Sequence, residues 1–277
     1  DRAKNFLACL LHYDGRVADV MRYAGNNYTG SYRNIHERII RIRQLVEDDD
    51  LISRYIKVMT TGAPSKFNAE STRENALLHW REGNHDSIRA NFDEVMKTMN
   101  KEERNCFIIP FPMWISRFIP NIFFTPQHLL QKMYKKPRLV YDASRRFTPF
   151  SVAINMMTST RDGVELECIF EDVFGKGLIR IWNLHISYPL CEIVIHANDI
   201  KSCFRQLKHH PDVAGAFCYI IVEYLFMQCG LTFGSDFSPA VWETCRRMAE
   251  IMAKKLFSDE SLLDKHKHHL DKLNGGK

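Results

Sequence analysis

The stretch that decides the fold runs over residues 192–243. It opens with Glu192-Ile193-Val194-Ile195-His196-Ala197-Asn198-Asp199 and continues with Ile200-Lys201-Ser202-Cys203-Phe204-Arg205-Gln206-Leu207. It closes with Phe233-Gly234-Ser235-Asp236-Phe237-Ser238-Pro239-Ala240-Val241-Trp242-Glu243. Side chains alternate between the two faces of a strand, so the apolar positions at 193, 195 and 197 share one face. The first part of the stretch therefore predicts a strand that ends on Asp199.

Asp199 falls at the carboxyl end of that strand, where a carboxylate can point into a cleft. Carboxylate, carbonyl and water oxygens are the ligands that Mg²⁺ prefers. Phe204 follows Asp199 by five residues. The spacing alone favours an ordinary helix-capping Asp followed by a core Phe, and a magnesium ligand is the alternative.

A glycine hinge and a helix start lie in the closing part of the stretch. Phe233-Gly234 predicts the hinge, and Ser238-Pro239 predicts the start, because Ser is a good N-cap and Pro is tolerated at the first helical position. The following apolar side chains recur every three or four residues and give one apolar face. They are Val241, Cys245, Met248, Met252 and Leu256.

Composition indicates a soluble globular protein. The chain has 277 residues, 45% of them hydrophobic and 26% charged, which is enough for one large or two ordinary domains. Its first residue is Asp1, which suggests a fragment or a processed chain. The eight cysteines form no Cys-x-x-Cys pair and favour buried free thiols in a reducing compartment over a zinc site. With no visible signal peptide, we expect an intracellular protein, in cytoplasm or nucleus, that is not secreted.

A basic cluster occupies residues 131–146. It holds Lys132, Lys135, Lys136, Arg138, Arg145 and Arg146. Against the single acid Asp142 this gives 6 − 1 = +5, which equals the formal net charge of the whole chain. Such a cluster fits contact with phosphate groups, and a solvated basic loop is the alternative.

The most apolar stretch, residues 106–124, is interrupted by Pro110, Pro112, Arg117 and Pro120. These interruptions exclude a membrane span and predict a buried irregular segment. We therefore expect no membrane partner.

Elsewhere the apolar spacing predicts helices, with two exceptions. Helices are expected over residues 1–25, 31–59, 70–99 and 164–190. Arg138 to Tyr141 predicts a strand, and residues 216–229 predict a strand pair. Residues 1–104 carry no motif that we can assign to chemistry. They form either a helical domain or a connector from a larger polyprotein.

Three motifs resemble those of retroelement reverse transcriptases. Asp199 to Leu207 is similar to the family's Asp-hydrophobic-Lys-Ser-Gly-Tyr-His-Gln pattern, with Cys203 in place of Gly and Phe204 in place of Tyr. His210-Pro211-Asp212 matches the His-Pro-Asp that often follows. Residues 233–242 are similar to the palm pattern Phe-Gly-x-x-x-Ala-Pro-Ala-x-Phe, and residues 137–142 to the fingers pattern Arg-Leu-Val-x-Asp. The three occur in the family's order.

The resemblance implies a role for each matching residue. Asp199 and the backbone carbonyl of Ile200 would hold Mg²⁺, with Mn²⁺ as an alternative ion. Lys136 and Arg138 would bind the triphosphate of the incoming dNTP, and Phe204 would exclude the ribose 2′-hydroxyl. The remaining matches, Gly234, Ser238 and Pro239, would shape the floor under template and nucleotide. The reaction would be two-metal phosphoryl transfer, and the partners would be an RNA or DNA template with its primer.

One family feature is absent from the sequence. The family has a further Asp-Asp pair on a hairpin after the second motif, whereas the only run of acids here is Glu47-Asp48-Asp49-Asp50, far upstream. One Asp does not hold two metal ions, so we expect this polypeptide as it stands not to polymerise. The alternatives are a non-catalytic remnant or nucleic-acid-binding module, and an unrelated magnesium enzyme that pairs Asp199 with Asp212 or Asp236.

The expected architecture is α+β. Residues 1–104 would be a helical N-terminal region. Residues 105–277 would be partial reverse transcriptase fingers and an incomplete palm, truncated before the Asp-Asp motif. The oligomeric state, the class of retroelement and the template preference stay open.

Overall fold

Helices and short antiparallel sheets are mixed along the chain in this computed structural model, so the expected α+β class is confirmed. The structure describes residues 2–27, 35–63, 66–67, 77–78, 80–119, 121–131, 133, 136–149, 151–159, 173–193, 200 and 202–258. Asp199, Lys132 and Lys135 lie outside these residues, as does most of the predicted strand over 192–198.

The elements are numbered here in chain order. The α-helices are α1 (Arg2–His12), α2 (Val17–Asn27), α3 (His36–Leu45), α4 (Asp49–Thr61), α5 (Asp86–Ala90), α6 (Phe92–Arg104), α7 (Ile154–Met157), α8 (Val173–Ser187), α9 (Cys203–Gln206) and α10 (Ser238–Ser258). The strands are β1 (Lys66–Phe67), β2 (Ile108–Pro112), β3 (Gln127–Leu130), β4 (Arg138–Tyr141), β5 (Thr158–Ser159), β6 (Cys218–Ile221) and β7 (Tyr224–Gln228). Two 3-10 helices span Met113–Phe118 and Pro211–Ala216.

The largest sheet has three antiparallel strands in the order β2-β7-β6. The predicted strand pair at 216–229 is confirmed as β6 and β7. The buried irregular segment predicted for 106–124 is partly wrong, because residues 108–112 form strand β2. Proline has no backbone N–H and is therefore tolerated on an edge strand. Pro110 and Pro112 lie on this outer strand, opposite Phe226 and Tyr224 of β7.

The predicted strand at Arg138–Tyr141 is confirmed as β4, which pairs with β3 in an antiparallel hairpin. Its register places Arg138 opposite Leu130 and Tyr141 opposite Gln127. Of the described members of the basic cluster, Arg138 therefore lies on the second strand of the hairpin, Lys136 just before that strand, and Arg145 and Arg146 after it.

The apolar core consists of three clusters, and each takes residues from both sides of residue 104. In the largest, Val58 and Met99 pack with Phe217 and Val241. In the second, α1 and α2 pack with β2 and β7. In the third, α3 and α4 pack with Met248 of α10. The helical N-terminal region thus shares its cores with residues 105–258, and the boundary at 104 stays a prediction.

The helix predicted over 164–190 is present as α8, while residues 160–172 lie outside the described part. Its apolar side chains are largely exposed, with Leu178 at 63% and Trp182 at 64% of their full area. Glu192 and Ile193, where the strand before Asp199 was expected to begin, are in no regular element.

Four of the cysteines, Cys106, Cys218, Cys229 and Cys245, are free and buried, as the sequence predicts. Cys191 is exposed, however, so the prediction is wrong for that residue. None of the helices in the described ranges is both long enough and apolar enough to cross a membrane.

Candidate functional site

Two of the sequence motifs meet at Gly234. Gly234 has φ +109, a conformation that L side chains rarely adopt. Its α-carbon is pressed against the end of β4, because a Cβ at this position would stand 2.1 Å from the backbone oxygen of Tyr141. Only glycine allows so close an approach of two backbones. Gly234 is thus the point where the second motif touches strand β4, and the hinge at Phe233-Gly234 stays a prediction.

Asn155 of helix α7 stabilises this contact through hydrogen bonds from a third segment of the chain. Its Nδ2 donates to the Gly234 carbonyl oxygen at 2.8 Å and to the Ser144 Oγ at 3.0 Å. Its Oδ1 accepts from the Asp236 backbone N–H at 3.2 Å. Its own backbone N–H donates to the Ala143 carbonyl oxygen at 3.1 Å. One amide side chain therefore holds the end of β4 and the 233–236 turn together.

Phe204 meets the same turn from the other side. Its ring lies 5.0 Å from the Phe233 ring, centroid to centroid, at an interplanar angle of 60°. Phe204 is half-buried against the largest core cluster, whereas Phe233 is 51% exposed. The structure thus brings together three of the predicted elements: the Phe204 turn, the Gly234 hinge and the end of the basic strand.

The turn that carries Phe204 is short and tightly connected. It is helix α9, which Ser202 precedes with φ +54. The Arg205 side chain is buried within it. Its Nη2 donates to the Glu102 Oε2 of α6 at 2.5 Å, and its Nη1 donates to the Gln228 side-chain oxygen and to the Gly230 carbonyl oxygen. The position that matches the family's His is therefore a buried guanidinium.

Lys208 and His209, which follow shortly after this turn, also have buried polar side chains. The Lys208 Nζ donates to the Cys106 carbonyl oxygen at 2.6 Å, and burial lowers its pKa. The His209 ring stacks on Phe217 with centroids 3.9 Å apart. Burial, together with the positive charges of Arg205 and Lys208, lowers the pKa of His209 to about 3. His209 is therefore neutral in the folded protein at neutral pH.

The two predicted triphosphate ligands lie on the hairpin. Lys136 and Arg138 are exposed, and neither makes an ion pair with another described residue. In the same motif, a carboxylate oxygen of Asp142 lies 2.8 Å from His85 Nε2. The other ring nitrogen, His85 Nδ1, lies 3.3 Å from Arg145 Nη1. Lys136 and Arg138 are thus available to bind an anion, whereas the Asp142 carboxylate already contacts His85.

Ser238 does not cap its helix as predicted. The Phe237 carbonyl oxygen accepts from the Val241 N–H, so the helix starts one residue earlier than the sequence suggests. The Ser238 hydroxyl is fully buried and has no hydrogen-bond partner within the described structure. Pro239 follows within the first turn, where its missing N–H costs no helical hydrogen bond. The helix itself is confirmed over Ser238–Ser258, with Val241, Cys245 and Met248 facing the core.

The described residues do not assemble a magnesium site. Among them, no group of three or more His, Cys, Asp or Glu side chains could hold a metal ion. Ile200 is half-exposed, and Asp199 lies outside the described part. Asp236 is exposed, and partial desolvation raises the pKa of its carboxyl group. Magnesium binding by Asp199 and the Ile200 carbonyl therefore stays a prediction.

Two cavities share Trp80 in their lining and lie away from the predicted site residues. One, of about 370 Å³, is lined by residues that include His85, Arg89 and Phe92. The other, of about 620 Å³, is lined by residues that include Met113 and Arg117, and Trp80 lines both. Neither has a predicted site residue among its described lining residues.

Sequence reasoning missed three residues that hold this site together: Asn155, Glu102 and His85. Asn155 and Glu102 are remote in sequence from the atoms they bind, and neither lies in a recognisable motif. His85 lies just before helix α5, inside a range predicted only as helical, and nothing near it in sequence indicated Asp142 as its partner. The pairing of Arg205 with an acid had no local signal, because Lys201 and Gln206 in the same motif are polar as well.

The comparisons with known proteins identify no relative. No protein-family model, no curated protein and no solved structure matches the chain.

Proposed function

We propose that this chain is a segment of a retroelement reverse transcriptase, with fingers and part of a palm, that binds a primer on an RNA or DNA template and an incoming dNTP. The observation that carries the proposal is the contact of Gly234 with the Tyr141 backbone. It joins the two most separated motifs, and their order along the chain is the family's own. A chance similarity of three short motifs would not require them to meet.

The proposed roles follow the exposed groups at this meeting point. Lys136 and Arg138 bind the triphosphate, which suits two exposed cations without an acid partner in the described part. Phe204 packs beneath the sugar, and its ring is held at the edge of the core by Phe233. Gly234 and Pro239 form the floor, and the buried Ser238 supports it from beneath. A nucleotide bound there would lie between the hairpin and the α9 turn.

Magnesium belongs to the proposal through Asp199 and the carbonyl of Ile200, with Mn²⁺ as an alternative ion. Bound metal would supply the charge stabilisation of phosphoryl transfer. No aromatic-x-Asp-Asp pattern occurs in the 277 residues, so nucleotide addition requires acids beyond those identified. The proposal includes an intracellular location, in cytoplasm or nucleus, which the free cysteines favour.

The second candidate is a nucleic-acid-binding module derived from a reverse transcriptase and without activity. The missing acid pair favours it, because the basic hairpin and the packed motifs would still bind phosphates. The two candidates differ in one respect, which is whether the incoming nucleotide is recognised.

The test measures ternary complexes. The chain is titrated onto a fluorescent RNA–DNA primer–template with a dideoxy primer end, in Mg²⁺, with and without the next complementary dNTP. For a polymerase segment, we expect the dNTP to tighten binding and Asp199→Asn to remove the tightening. Binding that ignores both changes identifies the inactive module. A chain that binds no primer–template contradicts both candidates.

A further inference from the structure

Arg205 connects three elements of the fold at once. It lies in the middle of a four-residue helix, α9, with only 7% of its side chain exposed. Its Nη2 donates to Glu102 of α6 at 2.5 Å. Its Nη1 donates to Gln228, the last residue of β7, and to the Gly230 carbonyl oxygen at 3.2 Å. The face of its guanidinium lies 5.4 Å from the centre of the Phe107 ring.

The backbone of Arg205 is fixed as closely as its side chain. A Cβ at Gly230 would stand 2.5 Å from the Arg205 carbonyl oxygen, so glycine is needed there for the two chains to touch. The Leu231 N–H donates to the Leu207 carbonyl oxygen, and the His209 N–H donates to the Cys229 carbonyl oxygen, both at 2.8 Å. The segment after α9 is therefore held against residues 229–231.

Phe204 is the neighbour of this anchored residue. Successive side chains on a helical turn point about 100° apart, so an anchor on Arg205 fixes the direction in which Phe204 leaves the turn. On the side of the candidate site, the Phe204 ring contacts the partly exposed Phe233 ring.

We propose that Glu102 and Arg205 are a positioning pair, by which helix α6 of the N-terminal region sets the place of Phe204 and thereby the discrimination between deoxyribose and ribose. The inference rests on the proposed function. It gives the N-terminal region a part in the site that no motif in residues 1–104 indicates.

The arrangement requires arginine rather than any cation. A guanidinium presents its N–H groups in a rigid planar fork, and here two different nitrogens reach acceptors on α6 and on the end of β7. A lysine has one flexible ammonium group and cannot hold that fork geometry. Arg205→Lys therefore keeps the charge of the pair while it loosens the direction of the turn.

The experiment compares dATP with ATP, which differ in the 2′-hydroxyl alone. The full chain is assembled with a dideoxy-terminated primer on a template that calls for A, in Mg²⁺, and the concentration of each nucleotide that stabilises the complex is measured. The variants are Arg205→Lys, Glu102→Gln and their double mutant, with Phe204→Ala as the reference for lost discrimination. We expect each variant to reduce the preference for dATP by about tenfold, with unchanged primer–template binding. The double mutant should lose no more than a single mutant, because both changes remove one pair.

Lys208→Met is the matched control. Lys208 is a buried cation of the same segment. It donates to the Cys106 carbonyl oxygen, just after α6, and its ammonium group lies over the Phe107 ring. It should lower the melting temperature and leave the preference for dATP intact. If Lys208→Met lowered the preference as much as Arg205→Lys, the cause would be general loosening of the segment and the positioning role would be wrong.

The remaining outcomes separate this inference from the proposed function. If Phe204→Ala lost discrimination while Arg205→Lys and Glu102→Gln kept it, the pair would have no positioning role and the proposed function would stand. If the parent chain formed no dATP-dependent complex, the proposed function and the inference would fail together. Where Glu102→Gln melts below the assay temperature, Glu102→Asp replaces it, since it keeps the charge and shortens the side chain.

Discussion

The α-carbon of Gly234 lies against the backbone carbonyl of Tyr141, with no room for a methyl group between them. This contact connects strand β4, which carries Arg138, with the turn that precedes helix α10. Asn155 closes the contact on its open side. The relative position of the two motifs therefore depends on one residue without a side chain.

Replacing Gly234 by alanine should destabilise the fold by more than backbone strain alone. A non-glycine residue at φ +109 costs about 1–3 kcal/mol, and displacement of the Tyr141 backbone adds to that cost. Urea unfolding of Gly234→Ala measures the sum. Gly83→Ala is the control, because Gly83 also has positive φ but would place its Cβ within 4 Å of nothing. Equal losses for the two variants would show that the contact with Tyr141 contributes nothing.

Phe204→Ala should admit ribonucleotides. The half-buried ring fills the space that a 2′-hydroxyl would need under the proposed function, and its removal opens that space. The measurement uses a longer chain that carries an aromatic-x-Asp-Asp hairpin and scores incorporation of ribonucleotides against deoxyribonucleotides. The parallel variant Phe204→Tyr keeps the ring and should keep the discrimination. Unchanged ribonucleotide incorporation by Phe204→Ala would remove this residue from the site.

Lys136 and Arg138 should contribute to nucleic-acid or nucleotide affinity through phosphate contacts. Each lost contact should reduce the slope of log K against log salt by about 0.9 on a duplex. Fluorescence anisotropy at several salt concentrations gives that slope for Lys136→Gln and Arg138→Gln. Lys97→Gln is matched in charge and exposure, and Lys97 lies near Glu94 on the surface of α6. A slope that falls equally in all three variants would mean that only net charge matters.

The buried His209 should make the fold sensitive to acid. Its pKa is lowered from 6.5 to about 3 in the folded chain, so between these values the unfolded chain binds more protons than the folded one. The contribution of neutral His209 to the free energy of unfolding is therefore fully present above pH 6.5. It declines as the pH falls toward 3, by up to about 1.4 kcal/mol for each pH unit. The free energy of unfolding is measured from pH 7 to 4.

His209→Phe keeps a ring to stack on Phe217 and removes the titration. This variant should lose less unfolding free energy than the parent between pH 6.5 and 4. The pH dependence that remains comes from other titrating groups. If parent and variant lost stability in parallel between pH 6.5 and 4, His209 would not cause the acid sensitivity.

Cysteine labelling should distinguish one thiol from the buried ones. Burial raises the pKa of the Cys229 and Cys245 thiols to about 12, so these groups stay protonated and unreactive in the folded chain. Cys191 is exposed and should react with a disulfide reagent at neutral pH without unfolding. Cys191→Ser should lower the rapidly labelled fraction by one thiol, and Cys245→Ser should leave that fraction unchanged.

Local patterns in the sequence predicted the elements well. The helices over α1 to α4, the β6–β7 pair, strand β4 and the long helix α10 follow from apolar spacing, which reports burial on one face. The 106–124 segment was the exception. Its prolines suggested irregular chain, whereas the position of β2 at a sheet edge makes them compatible with a strand. Whether a strand is an edge strand depends on the other strands, so a local pattern cannot show it.

The candidate site was predictable only in part. The glycine at 234 and the aromatic at 204 stand out within motifs, and the structure brings their turns together. Their supports are different, because Asn155 and Glu102 act through hydrogen bonds to residues far along the chain. Such pairs follow from tertiary packing alone. The shift of the N-cap from Ser238 to Phe237 has the same origin, since the tertiary packing that buries both residues fixes where the helix begins.

The outer strand β2 also limits what can associate with the protein. Ile109, Phe111 and Met113 direct their N–H groups toward β7 and the loop beside it, so the alternate positions 110 and 112 face outward. Both are prolines and offer no hydrogen-bond donor to a further strand. An extended segment from a second molecule would therefore lack half of the usual backbone hydrogen bonds at this edge. Residues 108–111 are also buried, and helix α1 packs against this strand, so this edge of the sheet is closed to pairing with another strand.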